Sequence, residues 1–166
     1  MFMMHKTAML FSLALLGACA DYRFTVNEQV VYSPTPLFSD YSVPDKALEE
    51  CMTQHIRDRS ATNVSQLEEI NCSHAGVSSL EGIQTFTEIF RLKLSDNAIA
   101  DLGPLASLTK LKELHLKGNP VRGLLPLRGL IRLDYLNLAE NDELVCSELE
   151  YFKALPTLEL VAPAHC

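Results

Sequence analysis

Beyond residues 1–18 the chain has no apolar run long enough to cross a bilayer, although hydrophobic residues make up 48% of it. It also lacks a basic surplus. Its 14 Lys and Arg stand against 21 Asp and Glu, a formal charge of −7. A surface built for phosphate backbones carries the opposite sign, so nucleic acid is not an expected partner. The acidic excess is too small for a disordered chain of this apolar content. Signatures of chemistry are missing too. There is no C-x-x-C, no H-E-x-x-H and no glycine-rich phosphate loop, and the glycines beyond Gly17 are isolated in turn-like positions. The expectation is a protein without cofactor, metal or enzymatic reaction. Its 166 residues suffice for one domain with a real core.

What is present begins with a targeting segment at 1–18. Lys6 supplies a positive start, and Ala8 to Leu16 form an apolar stretch too short for a membrane helix. Leu16-Gly17-Ala18-Cys19 follows, and it resembles the lipobox of bacterial lipoprotein precursors. That resemblance implies cleavage before Cys19, acylation of Cys19 and a lipid-anchored place in the cell envelope, periplasmic or surface-facing. By resemblance to enterobacterial lipoproteins, Ala20 rather than Asp after the cysteine implies sorting to the outer membrane. Each buried acyl CH₂ adds about 0.8 kcal/mol to such an anchor. The alternative is an ordinary signal peptide that contains a cysteine.

Residues 19–43 read as a tether, with Ser33-Pro34-Thr35-Pro36 within it and Pro44 just beyond. Phe24 to Tyr32 is β-prone around Asn27-Glu28, which leaves a small hairpin packed on the domain and a flexible linker both open. Residues 44–66 read as an N-terminal helical cap, with the helix itself at 45–58. Ser42 or Asp45 suits its N-cap, Pro44 suits a first-turn position, and Leu48, Cys51, Met52, His55 and Ile56 share one face. His55 falls at the edge of that packed face.

From Leu67 onward a 22-residue period governs the chain. Leu67, Ile89, Leu111, Leu133 and Leu155 open each copy. Ile70, Leu92, Leu114, Leu136 and Leu158 follow three residues later, and Cys72, Leu94, Leu116, Leu138 and Leu160 two residues after those. Asn97, Asn119 and Asn141 recur in register, as do further apolar ranks such as Leu80, Leu102 and Leu124. Each L-x-x-L-x-L stretch predicts a strand with inward leucines, stacked on the next at about 4.8 Å. The asparagines stand where the chain leaves the strand, placed to bond backbone groups that a buried bend would orphan.

Asn97 to Leu108 is similar to the 22-residue repeats of bacterial internalins, and residues 67–162 as a whole resemble the leucine-rich-repeat superfamily. The resemblance implies an α/β fold. It is a right-handed leucine-rich-repeat solenoid of four to five coils, with a parallel sheet on the concave face and short turns or 3₁₀ pieces on the convex face. The repeats proper span 67–145 and a C-terminal cap spans 146–166. Ala75 replaces the asparagine of the first coil, and Glu143-Leu144-Val145-Cys146 breaks phase in the fourth. With Cys19 acylated, four cysteines remain, and an even number in an exported chain suggests disulfides. In a stack of coils only neighbours can be bridged, since a disulfide does not reach across several strands. This selects Cys51–Cys72 at one end and Cys146–Cys166 at the other, with free buried thiols as the alternative.

The x positions of each strand face outward and form the candidate site. They run as Glu69, Arg91, Glu113, Tyr135, Thr157; then Asn71, Lys93, His115, Asn137, Glu159; then Ser73, Ser95, Lys117, Ala139, Val161. Arg91, Lys93, His115 and Lys117, with Tyr135 and Asn137 beside them, give a basic centre suited to an acidic or mixed protein partner of a monomeric domain. The plainer reading is a solvated face whose charges interleave as Glu69–Arg91–Glu113. A single aromatic in these columns, Tyr135, argues against sugar stacking. His74 and His115 lie about 10 Å apart by strand spacing, too far to share a metal. Ser95 and Asp96 at a strand end are ordinary turn chemistry rather than a triad with His115.

Overall fold

The computed structural model describes residues 24–26, 29–32 and 37–166, within two compact units, Met1–Thr35 and Pro36–Cys166. The expected targeting segment at 1–18 and the expected lipidation site Cys19 lie outside the described residues. In the first unit, β1 (Phe24–Val26) and β2 (Gln29–Tyr32) pair antiparallel, with Val26 opposite Gln29 and an irregularity between Phe24 and Thr25.

The second unit begins earlier than the sequence implies. Residues 37–43 belong to the packed domain and not to the tether. Phe38 donates its N–H to Ala61 O at 2.8 Å, Phe38 and Tyr41 pack their rings against Phe86, and Val43 is buried. Helix α1 (Lys46–Asp58) follows. Asp45 is its N-cap, accepting from Leu48 N–H, so Pro44 precedes the cap and is not in the first turn. Leu48, Met52 and Ile56, spaced at one helical turn, form its buried stripe. A 3₁₀ turn at Val64–Gln66, closed by an Asn63–Gln66 capping box, leads into the first coil.

Five strands then form one parallel sheet in chain order: β3 (Glu69–Asn71), β4 (Arg91–Lys93), β5 (Glu113–His115), β6 (Tyr135–Asn137) and β7 (Glu159–Val161). Ile70, Leu92, Leu114 and Leu136 align across it and are at most 2% exposed. Their return segments carry 3₁₀ helices at Ile83–Thr85, Gly103–Ser107 and Leu125–Gly129. Pro104 and Pro126 sit at the starts of the latter two, where a fixed φ helps and an N–H is not needed. The inward ranks from Leu67 to Phe152 form one continuous core, each such side chain worth roughly 1.5–3 kcal/mol of burial.

The fourth coil departs from the period. Its 3₁₀ helix, Cys146–Leu149, runs directly into a short α-helix, α2 (Glu150–Lys153). This longer return path delays the last strand by two residues. Tyr135 therefore pairs with Glu159 and not Thr157, and Asn137 with Val161 and not Glu159. Leu160 takes the register position that the period assigns to Leu158, and Leu155, Leu158 and Leu160 are only partly buried.

Candidate functional site

The backbone beneath the sheet face is locked by the asparagines. Asn119 Nδ2 donates to Leu94 O, Leu116 O and Lys117 O at 2.9, 3.0 and 3.2 Å, while its Oδ1 accepts from Ile99 N–H at 3.1 Å. Asn141 repeats the pattern one coil on, reaching Leu116 O, Leu138 O and Ala139 O and accepting from Val121 N–H. Asn97 does so one coil earlier, bonding Cys72 O, Leu94 O and Ser95 O and accepting from Gly76 and Val77 N–H. The first coil thus needs no asparagine at Ala75, because Asn97 reaches back to it. A second column was not read from the sequence. His74, Asp96, Gly118 and Glu140, one per coil, all have positive φ of 56–65°. Asp96 and Gly118 suit that conformation, but nothing about His74 or Glu140 signals it.

On the open face of the sheet the columns are in the expected register through β6. Arg91 donates to Glu69 at 2.6 Å and to Glu113 at 2.5 Å. His115 Nε2 sits 2.6 Å from the other Glu113 oxygen. Burial alone would raise the Glu113 pKa, but His115 and Arg91 outweigh it and hold the carboxyl below its usual range. Arg91 is in turn held protonated by Glu113 and Glu69, and Lys117 by Glu140 at 3.1 Å. The centre expected to be basic is therefore largely charge-balanced. Lys93 is the exception, with no ion pair among the described residues. The His115 and Tyr135 rings lie 4.9 Å apart, and Asn137 spends its side-chain oxygen on Ala139 N–H. Arg91 also lies over the Phe90 ring at 5.7 Å.

A cleft of about 150 Å³ opens where α1 meets this face, lined by His55, Arg59, Glu69, Asn71, Arg91 and Lys93. Sequence reasoning missed Arg59 because its place depends on how α1 docks. Its guanidinium donates to Glu69 O at 2.5 Å. His55 is bonded to the backbone of Asn71, at 3.0 Å from its N–H. The two disulfides join Cys51 to Cys72 (Cα–Cα 5.8 Å) and Cys146 to Cys166 (5.3 Å), one at each end of the stack. Each has a histidine beside it, His55 and His165. Among the described residues no serine hydroxyl is bonded to a histidine.

Stacked coils, inward leucines and a shared asparagine ladder agree with sequence comparison, in which residues 87–129 match the family described as leucine rich repeats in two copies. The fold is a leucine-rich-repeat solenoid. Among solved structures, this solenoid is similar to internalin C2 (inlC2) of Listeria monocytogenes at 28% identity and a TM-score of 0.61, over 71% of this chain and 54% of that one. It is also similar to an internalin (inlF) of the same organism at 26% identity and a TM-score of 0.62, over 73% of this chain and 37% of that one. The chain thus spans about half the length of the first and little more than a third of the second. No curated protein sequence matches it.

Proposed function

We propose that this protein is a lipid-anchored envelope lipoprotein, held in the outer membrane through Cys19, whose solenoid binds a protein partner through the open face of its sheet. Leucine-rich repeats generally serve as protein–protein interaction modules. The observation that carries the reading is the arrangement around Lys93. An ammonium without a carboxylate partner among the described residues lines a cleft with Arg91 and Arg59, and His115, Tyr135 and Asn137 continue the face along β5 and β6. The paired charges hold their side chains in place before binding, which reduces the ordering cost of association. An acidic group on the partner suits Lys93, and the edge of Tyr135 suits an apolar neighbour. One observation favours a second reading, a structural or assembly-assisting envelope lipoprotein with no ligand on this face: Arg91 and Lys117 are already paired with carboxylates of the chain, and His115 is hydrogen-bonded to Glu113.

Cross-linking capture from the native envelope separates the two. Wild type and a Cys19→Ala form are compared with a Lys93→Glu/Tyr135→Ala double variant. The binding reading expects the double variant to lose its cross-linked partner by a factor of roughly 30 or more, the scale of one interface hot spot. Equal capture by wild type and the double variant would favour the structural role. Cys19→Ala is expected to leave the membrane fraction, and its retention there would remove the anchor.

A further inference from the structure

The two edges of the sheet are treated differently. In β3 the outward backbone groups belong to Glu69 and Asn71, and side chains of α1 and of Arg59, which follows it, meet them. Arg59 donates to Glu69 O, and His55 Nε2 accepts from Asn71 N–H. At the far edge, Glu159 N–H donates to Asp134 O and Val161 O accepts from Leu138 N–H, so residues 159 and 161 turn their backbones toward β6. Strand geometry then aims the N–H and C=O of Leu160 away from the sheet, where no described residue meets them. The side chains repeat the contrast. Ile70 beneath the covered edge is 2% exposed, whereas Leu155, Leu158 and Leu160 at the other end are only partly buried. An unpaired strand edge over an incompletely covered core is a template for another strand.

We propose that β7 is a self-association edge, pairing antiparallel with β7 of a second copy about a two-fold axis at Leu160. The covered edge decides the occupant. A head-to-tail filament needs β3 of one copy to dock on β7 of the next, and His55 and Arg59 already occupy the β3 groups. Tail-to-tail pairing uses the open edge twice and closes on itself. In that register Leu160 exchanges both backbone hydrogen bonds with its counterpart, the outward orientation such a pair requires. Its inward side chain meets its own copy, joining the two exposed core ends. On the open face Glu159 falls opposite the partner copy's Val161, so no like charges stand directly across from each other. The product is one ten-stranded ribbon with two candidate sites on the same side. Three residues per strand make a short contact, which suits a weak, concentration-dependent dimer.

Sedimentation equilibrium over a range of concentrations tests this on the intact chain, disulfides closed, in density-matched detergent. The expected result is a reversible doubling of mass. Val161→Glu puts a carboxylate opposite Glu159 of the other copy and should weaken association at least tenfold. Val161→Lys, at the same half-exposed position, should tighten it. The combined Glu159→Lys/Val161→Glu exchange again sets opposite charges across the seam and should reverse the loss caused by Val161→Glu and tighten association as Val161→Lys does, with circular dichroism confirming that each variant is folded. A wild type that remains monomeric at every concentration overturns the proposal, as do Val161 variants of opposite charge that shift the equilibrium equally.

Discussion

The buried asparagines show how one side chain can serve two coils. Asn119 is 3% exposed and meets backbone groups of its own strand end and of the coil before it. Replacing it with Ala leaves Ile99 N–H without its acceptor and takes one of two amide donors from Leu94 O and from Leu116 O, in a space closed to water. Asn119→Ala is therefore expected to lower unfolding stability by about 2–4 kcal/mol, measured by urea denaturation. The same change at the exposed Asn63, which caps only a 3₁₀ turn, should cost about 1 kcal/mol. The ladder was legible because Asn97, Asn119 and Asn141 recur at the repeat period. The charge balance of the face was legible only in part. The alternation of Glu69, Arg91 and Glu113 is visible in the sequence, but the claims of Glu113 on His115 and of Glu140 on Lys117 depend on side-chain directions that spacing does not fix.

Among the elements, one carboxylate ties the start of α1 to the first coil, in addition to the buried stripe and the Cys51–Cys72 disulfide. Asp45 caps α1 through Leu48 N–H and also accepts from the N–H groups of Ser78 and Ser79 and from the Ser78 hydroxyl. Burial alone would raise its pKa, but these four donors lower it to about 2. A folded pKa below the ordinary carboxylate value means that this stabilisation is complete above about pH 4 and fades as pH falls toward 2. Asp45→Asn should remove part of that acid-dependent loss, and Asp45→Ala should destabilise the protein at neutral pH by about 1–2 kcal/mol, both read from thermal melts between pH 2 and 7. Gly82 enforces the same junction. Its φ is 91°, and a Cβ there would meet Ser42 O at 2.1 Å. The helix and four of the five strands could be read from apolar spacing. The last strand could not, because a period carries no information about a return path that winds as α-helix where its neighbours wind as 3₁₀. Nor did residues 37–43 announce themselves, since Phe38 and Tyr41 pack against Phe86, a partner more than forty positions away.

At the scale of the whole molecule, the covalent links stand at the two ends of a structure whose coils touch only their neighbours. Each disulfide closes a loop of about 20 residues, which corresponds to roughly 3 kcal/mol. Their loss should be felt locally. Replacing Cys146 and Cys166 with Ala is expected to raise hydrogen exchange in α2 and β7 while β4 and β5 keep their protection, and replacing Cys51 and Cys72 should do the same for α1 and β3. Uniform loss of protection after either change would mean that the stack opens as one unit. The interior coils have a different freedom. Leu94 O receives amide protons from Asn97 and Asn119, and Leu116 O from Asn119 and Asn141, so each coil hands to its successor the acceptors it took from its predecessor. A tandem duplication of the gene segment for an interior coil would arrive with every such connection already matched. Duplication of a terminal segment would bring a second helix or a second delayed strand with nowhere to fit. Lengthening of this protein over evolutionary time is accordingly open at its middle and blocked at its ends.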